Sequence, residues 1–598
     1  MVDTSSQKEN LFSLIKLLHR GFKNYKRNIV ILTMLGFVGS FFESIGITTI
    51  IPLFSFITGG GGKTIDIISQ FVAKSFAFFG ATYSFRYLLL LVVLLFIFRA
   101  IVVIVNNYIQ IKIGTDYKEM TRNNLFNKMI QADWSYLLKQ RLGHLETILV
   151  LNAPYGQKLL NIIADALTTS ASLIVYVAVA MMISFSASVS TLLLSTVLFV
   201  LFRQFIYKTR MLSREAEKMN RDMAHHINEN IFGMKTVKAM MVGEKVIDHS
   251  REYFKDLKKL EIQISLLRII PGSLMQLVGL LFVVFLFVIS YKTPGFSVGA
   301  LAAVVYLIQR IFQYVQRLQI DINFINEAIP YLRETILCEE ESQKYKESRE
   351  GNDSFVFRKN LEFKDVSFSY NKKTPVLKQI NFSVLQGEMV GLIGPSGGGK
   401  TTIVDLILRL FKPEGGTIVL DGKNAETIDL IKWRKKIGYV SQDIFLKNSS
   451  IADNIRFYND SLSDDEIVEA AKMANIYDFV EKLPKKFETT IGERGIMLSA
   501  GQRQRIVIAR VLAQKPELLV LDEATSALDN ESEAEIQIVI EKLKGRLTVI
   551  AIAHRLSTII NSDKILILEN GQISEHHEPR ELLKDENSYL FKVYNIRK

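Results

Sequence analysis

The sequence predicts a multidomain chain in two unlike halves. An all-α membrane domain of six spanning helices, with long extensions beyond the membrane, is followed by an α/β phosphate-loop domain. Three observations predict this. Nearly all the long apolar runs fall before residue 320. The remainder alternates strand and helix patterns around a glycine-rich loop, Gly394–Thr402. The 598 residues also carry a net charge of +12 with 48% hydrophobic residues and a single cysteine, Cys338, which excludes a disulfide framework or a Cys-rich metal site. With 22% charged residues, the chain is neither disordered nor fibrous, and its length suits several domains.

The first element is a basic amphipathic segment, Leu11 to Asn28, expected to lie on the inner membrane surface. Its Lys16, Arg20, Lys23, Lys26 and Arg27 place the N-terminus in the cytoplasm by the positive-inside rule. Spanning helices need roughly 20 mostly apolar residues. Six stretches qualify: Ile29–Ile57, Tyr87–Ile109, Asn161–Ser184, Ala187–Tyr207, Ile269–Tyr291 and Val298–Leu318. The first is too long for a cleaved signal peptide and lacks a small-residue cleavage site. Basic residues beside membrane spans account for the positive charge, so no nucleic-acid partner is expected.

Connection lengths refine the picture. The third and fourth spans are separated by a few residues around Ser186, a tight external hairpin. Residues 112–159 and 208–268 are long, charged and helical in pattern, so the spans are expected to continue into the cytoplasm and turn there. Short transverse helices are expected at Asn152–Gln157 and Ile231–Lys238. Ionisable residues in or near the spans are Glu43, Arg99, Asp165, Arg203 and Arg268. The arginines lie near helix ends, where they snorkel or pair with a carboxylate, while Glu43 sits deeper and is a candidate to face a polar cavity.

After a charged connector, β runs at Leu361–Tyr370 and Met389–Ile393 lead into Gly394-Pro395-Ser396-Gly397-Gly398-Gly399-Lys400-Thr401-Thr402. This is the phosphate loop G-x-x-x-x-G-K-[ST], with an apolar strand before it and the apolar helix Ile403–Leu410 after it. Its backbone N–H groups and the helix N-terminus point at phosphates, Lys400 reaches the β/γ-phosphates, and Thr401 ligates Mg²⁺. The run Gly59–Lys63 looks similar, but Ile57 stands where the first glycine should be, so it is read as a flexible turn. Further on, the apolar strand Leu518–Leu521 ends in Asp522 and Glu523. A buried parallel strand delivers such carboxylates to the nucleotide edge of the sheet, Asp522 for Mg²⁺ and Glu523 for activating the attacking water.

These residues carry a family resemblance. Leu361–Lys598 resembles the nucleotide-binding domain of ATP-binding-cassette (ABC) proteins, which implies a P-loop ATPase domain of ABC type binding ATP and Mg²⁺. The resemblance implies that Tyr370 stacks on adenine and that Gln442 touches Mg²⁺ and water. It also implies that Leu498-Ser499-Ala500-Gly501-Gln502 is the signature, that Ser526–Asp529 is the loop across the dimer interface, and that His554 is the switch histidine. The family signature usually has glycine where Ala500 stands; Ser499 and Gly501 keep the groups that meet the γ-phosphate, so a working site is expected. Thr490–Gly495 and Glu229–Ala239 resemble exporter elements, and the whole chain resembles a half-size ABC exporter.

The expected division is 1–28 interfacial helix, 29–335 membrane domain, 336–358 connector and 359–598 nucleotide-binding domain. In this family each ATP sits between two nucleotide domains, so the resemblance implies a dimer. A homodimer is the economical reading because Ser499, Glu523 and His554 are all present; a heterodimer stays open. Phe42–Pro52 resembles the first span of bacterial flippases for lipid-linked oligosaccharides, giving a lipid-linked saccharide as the expected substrate and the bacterial inner membrane as the location. Arg99, Arg203 and Arg268 are candidates to meet its pyrophosphate. The alternative substrate is an amphipathic peptide or drug, without a fused cysteine peptidase since Cys338 lies in the connector. A soluble ABC ATPase acting on DNA or ribosomes would need no membrane half. A membrane sensor or ATP-gated channel would lack coupling of hydrolysis to substrate.

Overall fold

A computed structural model describes residues 11–49, 52–53, 56, 67–78, 80, 82–140, 142–290, 298–371, 374–524, 528–553 and 559–596. The chain separates into two compact units, one of residues 1–132 and 136–346, the other of 133–135 and 347–598. The first unit is helical. The second carries all the named strands.

In the helical unit, α1 (Leu11–Phe22) is followed by α2 (Lys26–Thr48), α3 (Ile67–Phe78), α4 (Phe85–Ile130), α5 (Trp134–Leu137), α6 (Leu142–Thr147) and α7 (Ala153–Ile183). Then come α8 (Phe185–Leu201), α9 (Arg203–Phe232), α10 (Met234–Ala239), α11 (Gly243–Ser290) and α12 (Val298–Lys344). Among the described residues five helical stretches are long and apolar enough to cross a membrane: Ser13–Thr48, Phe85–Ile130, His144–Ile183, Phe185–Phe232 and Gly243–Ile289. The sixth expected span, Val298–Leu318, lies on α12 but is not one of them. Gln309, Arg310, Gln313, Gln316 and Arg317 interrupt its apolar face, and residues 291–297 before it fall outside the described set.

Ser184 alone separates α7 from α8, in extended conformation, so the expected hairpin is as tight as a helical chain allows. Small residues let α2 and α7 approach: Gly36 faces Thr168, and the Ser40 and Ser172 hydroxyls are in hydrogen-bond contact. This is the packing mode of helices that gain little from burying apolar surface against lipid. Beyond the apolar windows α4, α9, α11 and α12 run on, as the helical patterning predicts. The connector expected at 336–358 begins inside α12, which continues to Lys344.

One expected transverse helix moves. Residues 152–157 form the first turn of α7, entered through a π-helical turn at Ile148–Asn152, and the short helices sit earlier, at α5 and α6. Pro154 stands in the first turn of α7, where proline starts a helix. The other short helix is α10, Met234–Ala239 against the expected Ile231–Lys238, set off by the break at Gly233. The glycine run Gly59–Lys63 lies outside the described residues.

The second unit has two sheets. Strands β1 (Asn360–Phe368), β2 (Leu377–Leu385), β4 (Gly415–Leu420) and β5 (Lys423–Asn424) make an antiparallel sheet in the order β2-β1-β4-β5. The larger sheet runs β10-β9-β3-β8-β7-β6, with β3 (Met389–Ile393), β6 (Ile437–Val440), β7 (Leu518–Asp522), β8 (Thr548–Ile552) and β9 (Lys564–Glu569) parallel and β10 (Gln572–His577) antiparallel. Every residue of β3, β7 and β8 is buried, as parallel strands covered on both faces require. Leu519, Leu521, Val549 and Ala551 point into one apolar core; Leu518, Val520, Ile550 and Ile552 point into the other. Parallel strands share one carboxyl edge. The segments leaving Ile393, Val440 and Asp522 therefore emerge side by side.

Candidate functional site

The loop after β3 curls because Gly397 and Gly399 take positive φ, 78° and 103°. Gly394 passes so close to the Leu568 carbonyl that a Cβ there would overlap it. The curl ends in α13 (Lys400–Ile407), whose unpaired first N–H groups face the concavity. Lys400 folds back over this cradle: its Nζ donates to the carbonyls of Gly394 and Pro395, both at 2.9 Å. Burial lowers the Lys400 pKa, against the opposing pull of Glu523 and Asp522. Thr401 is exposed beside it and Thr402 is buried.

The carboxylates emerge from β7. Asp522 is 4% exposed, still within the strand, whereas Glu523 has left it in a left-handed conformation (φ 50°). For a residue with a Cβ that backbone costs about 1 kcal/mol or more, a cost found where a side chain must be aimed. Glu523 Oε2 accepts a hydrogen bond from Gln442 Nε2 at 2.8 Å. Gln442 itself follows the end of β6, so two neighbouring strand ends fix the pair.

Tyr370 lies past β1 with its ring nearly half exposed. Phe368 and Phe411 meet it edge-on at 5.0 and 5.3 Å between centroids. Its hydroxyl lies 3.1 Å from Thr402 Oγ1 and 3.4 Å from Asp405 Oδ2. Burial pushes the Asp405 carboxyl up to about 6; the Tyr370 hydrogen bond works against this and nearby Asp522 adds to it.

Helix α14 (Asp464–Met473) packs against α15 (Ala500–Ala513), the helix that the signature residues open. Ser499 is its N-cap: Ser499 Oγ accepts from the Gln502 N–H at 3.2 Å while Gln502 Oε1 accepts from the Ser499 N–H at 3.0 Å. A Cβ on Gly501 would collide with Ser532 of α16 (Asn530–Leu543), so that glycine is obligatory. Ala500 is an ordinary first-turn helical residue resting on the core, which accommodates the departure from the usual signature. Asp529 caps α16, accepting from the Ser532 N–H at 3.0 Å, and hydrogen bonding from the Ser532 side chain first and its backbone second holds the Asp529 carboxyl below the usual range. His554 and Ser526 lie outside the described residues.

No cluster of three or more His, Cys, Asp or Glu side chains able to hold a metal occurs among the described residues. The oxygen donors near the loop, Thr401, Gln442 and Asp522, suit Mg²⁺ only in the manner of nucleotide sites, where phosphates complete the shell.

Residues 30–315 match the ABC transporter transmembrane region and residues 377–526 match the ABC transporter nucleotide domain family. The heterocyst differentiation ATP-binding protein HepA of Nostoc sp. is 32% identical over 476 residues, 79% of this chain and 78% of its own. The chain belongs to the ABC transporters. The ATP-dependent lipid A-core flippase of Desulfotalea psychrophila is 33% identical over 395 residues, 65% of this transporter and 68% of the relative. A provisionally named multidrug export ATP-binding/permease protein of Staphylococcus aureus is 44% identical over 239 residues, 40% of this chain and 41% of its own. The solved structure of a bacterial Atm1-family ABC exporter with ATP bound shares the fold, with a TM-score of 0.75 at 23% identity over 96% of this chain and 98% of that one. The protein is thus a multi-pass membrane transporter with the half-size ABC exporter fold, an ATPase coupled to transport, and its fold implies a dimer.

In the transporter's membrane unit the ionisable residues divide sharply. Glu43 is 2% exposed and accepts from Arg99 at 2.8 Å and Arg310 at 2.7 Å. Arg310 also donates to Tyr306 at 2.7 Å and Gln313 at 3.2 Å. Arg268 pairs with Glu327 at 3.2 Å, Arg203 lies against Tyr207, and Asp165 accepts from Gln110 at 3.0 Å. Arg310 and Tyr306 are the functional candidates that sequence reading missed. Their spacing of one helical turn was the available signal.

Proposed function

We propose that this ABC transporter flips or exports an anionic amphipathic molecule, most specifically a lipid-linked saccharide, across the bacterial inner membrane, working as a homodimer with its nucleotide domains in the cytoplasm. The observation that carries the substrate class is the Arg99–Glu43–Arg310 cluster on α2, α4 and α12. Two guanidiniums and one carboxylate leave one positive charge within the apolar region, and a lipid phosphate complements it. The relative in Desulfotalea is a lipid A-core flippase, which supports a glycolipid, while the multidrug export relative in Staphylococcus aureus supports the alternative of a drug or peptide.

At the nucleotide site Lys400 and the N–H groups of 394–402 bind the phosphates, and Tyr370 stacks on the base. Gln442 orients Glu523, which takes the proton of the attacking water. Thr401, Gln442 and Asp522, together with the phosphates, would hold Mg²⁺, which would neutralise charge developing on the phosphates. Ser499, Gly501 and Gln502 of one protomer complete the site of the other, with Asp529 and His554 at the junction. ATP drives the cycle by favouring the closed dimer over the open one.

Native mass spectrometry of the Glu523→Gln variant, extracted gently with Mg-ATP, tests this. A homodimer retaining two ATP molecules and a co-purifying polyprenyl-phosphate saccharide is the expected result. Ordinary phospholipid alone would dismiss the saccharide and favour a drug or peptide. A partner of different mass would dismiss the homodimer.

A further inference from the structure

The base shelf and the phosphate loop are tied together through one hydroxyl. Tyr370 reaches over α13, the helix that begins with Lys400, and ends between Thr402 and Asp405. An ionised carboxylate only accepts, so Tyr370 donates to Asp405 and is free to accept from the Thr402 hydroxyl. Thr402 is 4% exposed and cannot move far. The edges of Phe368 and Phe411 limit the tilt of the ring without stopping it from swinging outward about its own side-chain bonds. The hydroxyl tether stops that swing.

We propose that Asp405 is a positioning residue for the nucleotide base: by holding the Tyr370 hydroxyl it fixes the ring as a shelf at a set distance from the phosphate cradle. It rests on the reading of Tyr370 as the surface on which the base stacks. Asp405 touches neither the phosphates nor the attacking water in this scheme. Its effect belongs to affinity for the base and not to the rate of phosphoryl transfer. Stacking is sensitive to ring orientation, whereas the phosphate cradle is made of backbone N–H groups, and the Asp405 carboxylate accepts its hydrogen bond from the Tyr370 hydroxyl.

The full chain, purified in lipid, is assayed for ATP turnover with competition by Mg-tripolyphosphate, which has the phosphates and no base. Asp405→Ala and Tyr370→Phe each raise KM for ATP about tenfold with kcat retained, the loss expected for a charge-assisted hydrogen bond. Asp405→Asn, whose amide oxygen still accepts, stays within about threefold of the wild type. The double variant Asp405→Ala/Tyr370→Phe is no worse than Tyr370→Phe alone, because the bond to Asp405 is already absent once the hydroxyl is gone. Tripolyphosphate inhibits all of them equally. A fall in kcat, or a loss of tripolyphosphate affinity in Asp405→Ala, overturns the proposal by placing Asp405 on the phosphate side. Tyr370→Ala separates the two readings. If it raises KM while Tyr370→Phe and Asp405→Ala do not, the tether is wrong and the shelf stands; if it changes nothing, the shelf itself falls and the tether with it.

Discussion

A Cβ on Gly501 would meet the Ser532 hydroxyl, whereas the methyl of its neighbour Ala500 already rests on the core. The two positions therefore answer oppositely to substitution. Ala500→Gly is expected to leave ATP turnover within about twofold, since it removes one half-buried methyl from a first helical turn. Gly501→Ala overpacks the α15–α16 contact and costs about 1–3 kcal/mol, read as a lower melting temperature together with lost turnover. In the membrane unit Glu43 is the counter-charge for two arginines. Glu43→Ala leaves both guanidiniums unbalanced and is expected to destabilise the protein by about 3–5 kcal/mol. Removing Arg99 as well should recover part of that, a non-additivity that a double-mutant cycle in thermal unfolding would register. Glu43, Arg99 and the phosphate-loop residues were legible in sequence, because charge in an apolar run and glycine at fixed spacing are local signals. Asp405 was not, for its role depends on a tyrosine that folding alone brings across to it.

Among the elements, α9 carries a buried acid outside the apolar windows. Glu217 is 5% exposed, with Arg221 at 3.9 Å as a distant partner, and burial raises its carboxyl to about 7 despite Arg221; Glu334 and Asp222 add to the shift. A carboxyl held above its unfolded value keeps its proton longer in the folded chain. Folding stability therefore declines as pH rises from about 4.5, the unfolded value, to about 7, where the carboxylate forms in place. Glu217→Gln removes this decline: the variant should match the wild type near pH 4.5 and exceed it by about 1–3 kcal/mol above pH 7. Melting curves across that range decide it. The helices themselves followed from periodicity, and the hairpin at Ser184 from its missing linker. The short helix expected at Asn152–Gln157 did not, because α5 and α6 are too short to show a period.

At the scale of the whole molecule, two separately cored units must exchange free energy through ATP. Binding stabilises only the folded chain, by about 2.7 kcal/mol at a hundred times the dissociation constant. Lys400→Ala should abolish that gain in a thermal shift with Mg-ATP, whereas Glu523→Gln should keep it. Loss of the shift in both would mean that Glu523 serves binding rather than water activation. The membrane unit is closed by a contact between its first and last long helices: Glu43 and Arg310 stand 267 residues apart in the chain. On a ribosome adding about 5–20 residues per second, Glu43 waits on the order of 15–50 seconds for Arg310, having met Arg99 much sooner. The order of synthesis thus neutralises this acid first within its own helical hairpin and only later locks α12 against it. A nascent chain stalled before α12 would be complete enough to insert and still lack its clasp, and that unfinished state is where membrane quality-control proteases would find their substrate.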